Sequence, residues 1–261
     1  MGQVIIKNSA EIELMRQGGK ILALVLSALK DAVRPGITTG ELNSLAEKLI
    51  AEHEAIPSFR NYCPSPGDTP FPTTLCASIN EEVVHAPALP SRVLKEGDII
   101  CLDLGLKYPS GDDGLFVDAA ITVGVGKISE EAERIMKVTE ESLWAGIAKV
   151  KHGNFIHDIS KAVQKTAEKE GFSVVRDLVG HGVGHKVHEA PRIPNFFDSS
   201  WKATPLIEGM TICIEPMVCA GGARVKTKDD EWTVVTADGK ISAHFEHTIL
   251  VTKEGYEVLT K

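Results

Sequence analysis

Leu94-Lys-Glu-Gly-Asp-Ile-Ile-Cys-Leu-Asp103 recurs 112 residues later as Leu206-Ile-Glu-Gly-Met-Thr-Ile-Cys-Ile-Glu215. Leu, Glu, Gly, Ile and Cys repeat in register, and each copy drives an apolar, strand-like run into an acid. Two further echoes keep the same order. Val84-His85-Ala86-Pro87 resembles Val187-His188-Glu189-Ala190-Pro191, and Asp118-Ala-Ala-Ile-Thr-Val123 parallels Glu246-His-Thr-Ile-Leu-Val251. The chain therefore reads as a duplicated helix–helix–sheet unit, not as a short-period solenoid. Two such halves form one curved sheet with helices on its outer face. The strand-ending acids of the two halves then face each other across a pseudo-twofold axis.

Each half supplies the elements this requires. Residues 11–33 carry a helical apolar stripe, opened by Asn8 with Glu11 as a capping box and stopped by Pro35-Gly36. Thr38 with Glu41 opens a second helix. Further helices are expected over 130–150 and 159–170, the last stopped by Gly171. Strands are expected over 74–79, 98–104, 119–123, 211–214, 232–235 and 245–251. Between the second helix and the first strand lie Pro57, Pro64, Pro66, Pro70 and Pro72, a loop too long for a plain turn and so expected to shape a site. No low-complexity linker interrupts the chain, which reads as one α+β domain over residues 1–261.

Composition excludes several classes. With 43% hydrophobic and 25% charged residues the chain is ordinary globular material. Its 28 basic against 36 acidic residues, net −8, argue against direct nucleic-acid binding. Five scattered cysteines, an odd count, suggest reduced thiols in the cytoplasm. The longest apolar stretch, 21–29, is broken by Ser27 and far too short for a membrane span. The start, Met1-Gly-Gln-Val-Ile-Ile, has no signal-peptide character.

Asp103, Asp118, His181, Glu215 and Glu246 belong together. The acids follow or end apolar runs, where an ionised carboxylate is expensive unless a cation compensates it. Four carboxylates match the charge of two divalent ions in a hydrolytic site. One imidazole among them favours Mn²⁺, Fe²⁺ or Co²⁺ over a thiolate-type zinc site. Gly180-His181-Gly182-Val183-Gly184-His185 has two histidines four apart, but without the glutamate of a zincin helix. Its glycines are expected to let the backbone approach a ligand closely. His181 reads as the ligand, and His185 stays open between a catalytic and a non-catalytic role, with the second favoured. His53, His152, His157 and His244 read as surface residues, and His247 points to the strand face opposite Glu246.

These residues carry a resemblance over nearly the whole chain. Ser78-Ile-Asn-Glu-Glu-Val-Val-His85, Gly97–Asp103, Gly180-His-Gly-Val-Gly184, Val187–Pro191, Thr211-Ile-Cys-Ile-Glu-Pro-Met217, Trp232–Gly239 and Phe245–Val251, in this order, resemble a type I methionine aminopeptidase of the pita-bread metallopeptidase fold, with its curved antiparallel sheet. Between Glu215 and Glu246 there is no room for the helical insertion of the type II enzymes. The resemblance implies removal of an unblocked N-terminal methionine before a small residue, by a metal-activated hydroxide that attacks the first peptide carbonyl. It implies two divalent ions per chain, drawn from Co, Mn, Fe, Zn and Ni. Asp103 would hold one, His181 and Glu215 the other, with Asp118 and Glu246 bridging. It makes Glu215 the proton shuttle, and His85 and His188 the non-ligand histidines at the substrate, with His188 at the oxyanion. Phe71, Cys76 and Trp232 match positions lining the methionine pocket.

There are departures. Asp103 and Asp118 are fifteen apart where the family usually has eleven, which we assign to a longer turn at Pro109–Gly114. Asp112 and Asp113 in that turn are the rival ligands, but Asp118 has the matching strand after it. The 61–72 loop has fewer tyrosines than the bacterial pattern and lacks its histidine, and Val187 stands where an aromatic is frequent. The implied partners are nascent polypeptide N-termini, met at the ribosome by a cytoplasmic monomer. Two rivals are a proline-directed member of the same fold, which usually carries an extra N-terminal domain, and an adaptor that has lost catalysis, which would show broken ligand positions.

Overall fold

Asn8 and Thr38 each accept backbone N–H groups of the turn that follows, while Glu11 and Glu41 reach back to the cap nitrogens. These boxes start α1 (Ser9–Ala32) and α2 (Thr39–Glu52) in the computed structural model, which describes residues 3–261; Met1 and Gly2, part of the N-terminal stretch without signal-peptide character, lie outside the described residues. The rest of the first half is β1 (Ile56–Pro57), β2 (Cys76–Ile79), β3 (Glu82–Val84), β4 (Ile99–Tyr108) and β5 (Leu115–Gly124). The second half opens with α3 (Glu130–Ile147) and α4 (Ile156–Lys169). It continues as β6 (Ser173–Val174), β7 (Gly180–Gly182), β8 (Glu189–Ile193), β9 (Thr211–Ile214) and β10 (Met217–Cys219). It ends as β11 (Val225–Thr227), β12 (Val234–Thr236), β13 (Ser242–His244), β14 (Glu246–Val251) and β15 (Tyr256–Val258). The fourth helix begins three residues before the expected 159. The carboxylate of Asp158 accepts the Phe155 N–H at 2.9 Å and satisfies a free donor of the first turn.

Nine strands form the main sheet in the order β1-β4-β5-β14-β9-β7-β8, with β2 on β4 and β15 on β14, every pairing antiparallel. The halves meet where β5 pairs with β14. β4–β5 and β9–β14 lie on either side of that seam, as the repeat requires. The β4–β5 ladder runs from Ile99↔Gly124 to Tyr108↔Leu115, so residues 109–114 form the turn that lengthens the spacing from Asp103 to Asp118. Asp112 and Asp113 are exposed in it.

Strand alternation divides the faces. Leu102, Leu104, Leu106, Val117 and Ala119 join Met15, Leu22, Val25 and Leu26 of α1 in one core. Ile212, Ile214, Ile249 and Val251 pack with Leu143, Ile147, Ile159 and Val163 of α3 and α4 in another. Each fully buried Leu or Ile contributes about 1.5–3 kcal/mol, so both helix pairs are held on the outer face. Residues of opposite parity, including Asp103, Asp118 and Glu246, are left to the inner face.

Candidate active site

The ladder register dictates the first part of the site. Asp103 of β4 and Glu246 of β14 both pair with Ala120 of β5, one from each side. Directly opposed residues share a face, as do residues two apart, so Asp103, Asp118 and Glu246 project together. Their carboxylates offer oxygens within 4.8 Å of one another. His181 of β7, Cys213 of β9 and Glu246 form a second such group. Glu215, just past the end of β9, brings Oε1 to 3.4 Å from His181 Nε2. Glu246 is common to both groups. The five residues thus converge on one site, and Asp112 and Asp113 stay outside it.

Burial sets the electrostatics. Asp103, Asp118, His181 and Glu246 are all under 9% exposed. Asp103 Oδ1, Asp118 Oδ1 and Glu246 Oε1 are buried without a hydrogen-bond partner among the described residues. Burial, reinforced by neighbouring carboxylates, holds Asp103, Glu215 and Glu246 well above the usual carboxylate range. Burial raises Asp118 to about 7. Buried, unpartnered carboxylate oxygens of this number fit divalent cations. His181 fits as well. Burial lowers it to about 3, so its imidazole is neutral. Its Nδ1 lies 2.9 Å from the Gly182 carbonyl, the contact that commonly fixes a ligating histidine with Nε2 free. Burial pushes the Cys213 thiol up, and its Sγ lies 3.6 Å from Thr248 Oγ1.

Gly180 lines the cavity over the carboxylates, and the glycines around His181 also admit neighbouring backbone. A Cβ on Gly180 would come to 2.4 Å from the Cys213 carbonyl oxygen, and one on Gly182 to 2.3 Å from that of Ala190. They admit the neighbouring backbone, which carries His181 deep into the sheet.

A cavity of about 380 Å³ opens over the carboxylates. Phe71, Cys76 and Trp232 line it, with His85 and His188 on its walls. Cys76 pairs with Asp103, which sets the thiol beside the acids. Phe71 and Trp232 meet edge to face at 5.1 Å. His85 sits at φ +59, in the left-handed region, and burial lowers it to about 4.

Three residues of the site go unrecognised in the sequence. His244 reads there as a surface residue but is buried, with Nδ1 3.6 Å from Cys101 Sγ and Nε2 3.8 Å from Glu215 Oε2. It ends β13, paired with Met217 of β10, and that non-local pairing buries it. Tyr62, in the proline-rich loop, places Oη 2.6 Å from His188 Nδ1. Cys213 is legible in principle, because the repeat sets Cys101 and Cys213 each two residues before an acid. His157 is half-buried against Phe197, at 5.2 Å between ring centroids. His185 lies away from the cluster, 3.1 Å from Glu11. His247 faces Trp144 on the outer side.

Buried acids and neutral imidazoles that converge on one face of a sheet suit a metallopeptidase, and the chain belongs to metallopeptidase family M24, which residues 13–253 match. A protein of Clostridium perfringens named methionine aminopeptidase is 50% identical over 258 residues, covering 98% of each chain. The crystal structure of a Thermotoga maritima methionine aminopeptidase superposes with a TM-score of 0.92 at 41% identity, covering 99% of this chain and all of that one. Within the family, this chain groups with the methionine aminopeptidases. The prolidase of Pyrococcus horikoshii shares the fold, with a TM-score of 0.76 at 22% identity over 98% of this chain but 63% of its own.

Proposed function

We propose that this chain is a metalloaminopeptidase that removes N-terminal methionine from nascent proteins and peptides when the amine is free and the second residue is small. The observation that carries this reading is the join of two donor groups through Glu246, directly beside an apolar, aromatic-lined cavity. Asp103, Asp118, His181, Glu215 and Glu246 would hold two divalent ions there. Ions held there would supply polarisation of a carbonyl and a water nucleophile at near-neutral pH. Glu215 takes the proton of the attacking water and passes it to the leaving amine. His188 donates to the oxygen that gains charge, and His85 contacts the substrate. Phe71, Cys76 and Trp232 receive the thioether, whose polarisable sulfur suits aromatic and thiol walls. A cytoplasmic monomer acting as one catalytic unit, meeting nascent chains at the ribosome, completes the proposal; among the described residues no helix is long and apolar enough to cross a membrane.

A peptide series, Met-X-Ser with X from Gly to Trp, tests the substrate rule. Met-Gly, Met-Ala and Met-Ser peptides are expected to be cut, and Met-Trp and formyl-Met peptides are not. Norleucine should replace methionine tolerably, because one methylene-sized difference in an apolar pocket is worth only about 1–3 kcal/mol. Faster release from Ala-Pro-Ala than from Met-Ala-Ser would move the chain to the proline-directed branch.

Removing metal should abolish cleavage, and Mn²⁺, Co²⁺ or Fe²⁺ should restore it. Binding displaces protons that the buried carboxylates hold, Asp118 up to about 7. Calorimetry should therefore show proton release and an affinity that falls as pH drops below 7. An affinity unchanged between pH 8 and pH 6 would argue against these carboxylates as the ligands.

A further inference from the structure

The phenol of Tyr62, which lines the cavity, bonds directly to a histidine assigned to the reaction. Its Oη lies 2.6 Å from His188 Nδ1, and the rings meet edge to face at 5.2 Å. On its other side His188 rests against His181, with ring centroids 4.4 Å apart. The His188 imidazole is thus clamped between a phenol and a residue of the buried cluster.

Tyr62 is itself held in place. Asn61 N–H donates to the Phe71 carbonyl at 2.8 Å, Phe71 N–H to the Tyr62 carbonyl at 2.9 Å, and Tyr62 N–H to that of Phe59 at 2.8 Å. The base of the loop is therefore pinched shut, with Asn61 taking the left-handed conformation, φ +65, that asparagine tolerates better than most residues. The exposed tip, 63–70, is fastened separately, through Thr69 Oγ1 donating to Glu231 at 2.5 Å.

We propose that Tyr62 is a positioning residue that sets the tautomer of His188: its O–H donates to Nδ1, which leaves the imidazole proton on Nε2, the one ring nitrogen free to donate to substrate. This inference rests on the proposed role of His188 at the oxyanion. Two observations give the direction of the bond. A separation of 2.6 Å is shorter than the about 2.9–3.0 Å usual when an N–H donates to oxygen, which favours the O–H as donor. A phenol is also a far stronger acid than a neutral imidazole N–H, so the bond is stronger with oxygen as donor. Burial supports the pairing by raising Tyr62 and so keeping its proton in place at neutral pH. In the opposite tautomer Nε2 would present a lone pair, which repels a developing oxyanion instead of stabilising it.

The test uses the full-length, zinc-loaded protein with ¹⁵N-labelled histidine. The His188 signal is identified by its loss in His188→Gln. In the wild type it should report a proton on Nε2, and in Tyr62→Phe a mixture of tautomers. Tyr62→Phe should lower kcat on the order of tenfold, the usual cost of losing a group that orients a functional histidine. KM should stay within about twofold, with thermal stability and calorimetric metal affinity unchanged. Thr69→Val loosens the loop tip without touching the phenol and should leave kcat and the tautomer as they were. A wild-type proton on Nδ1 would overturn the proposal. So would an unchanged kcat in Tyr62→Phe when His188→Ala is impaired, or equal losses in Tyr62→Phe and Thr69→Val with the tautomer unmoved. An unimpaired His188→Ala would instead remove the oxyanion role on which the inference stands.

Discussion

Glu246→Ala is expected to abolish peptidase activity, by roughly 10³-fold or more, and to empty both halves of the metal site. Glu246 belongs to the group with Asp103 and Asp118 and to the group with His181 and Cys213. Among the described residues no other joins the two. Metal stabilisation of a transition state is worth several kcal/mol, and each 1.36 kcal/mol is a factor of ten in rate. Truncation also leaves the buried carboxylates of Asp103 and Asp118 facing each other with one fewer partner for a shared cation. Metal content by elemental analysis and kcat on Met-Ala-Ser should therefore fall together. Retention of bound metal with full activity would show that the acids are structural and that the chemistry lies elsewhere in the cavity. Asp113→Ala, in the exposed turn, should change neither quantity.

His188→Ala should lower kcat by roughly 10²–10³, the range for losing one oxyanion donor, while metal content stays nearly constant. His188 faces the cavity and bonds to Tyr62 through Nδ1. His181→Ala should lose metal as well as rate, because His181 is buried on β7 beside Glu215 and Glu246. The two imidazoles lie only 4.4 Å apart, so general damage to the site would affect both variants alike. Equal metal loss in both would refute this division of roles.

Much of the fold is legible in the amino-acid sequence, for identifiable reasons. The capping boxes at Asn8 and Thr38 are local, three-residue devices, and both appear where expected. The start of α4 is harder to place, because its signal, the Asp158 carboxylate on the Phe155 N–H, comes without the Ser, Thr, Asp or Asn that usually marks a helix start. The acids are legible because an acid at the end of an apolar strand conflicts with the cost of burying charge, and the internal repeat doubles that conflict at corresponding places. Asp118 is preferred over Asp112 and Asp113 because the strand after it matches the one that follows Glu246, whereas the turn residues have no such context.

His244 shows the limit. Nothing in Ile241-Ser-Ala-His244 distinguishes a surface histidine from one packed between Cys101 and Glu215, because its burial comes from β10 and β4, which are distant in sequence. Tyr62 is similar: a lone tyrosine in a proline-rich loop acquires its partner, His188, only when the two halves close over the cavity.

The duplicated plan, the antiparallel arrangement through its resemblance, and the set of buried acids are all specified in short stretches of chain, because periodicity, capping and the cost of buried charge act locally. Which histidines flank those acids, that Glu246 links the two donor groups, and that Tyr62 holds His188 emerge only on folding. Those facts depend on the register across the β5–β14 seam and on how a loop folds back over it, and a chain specifies such non-local contacts only through the packing of the whole.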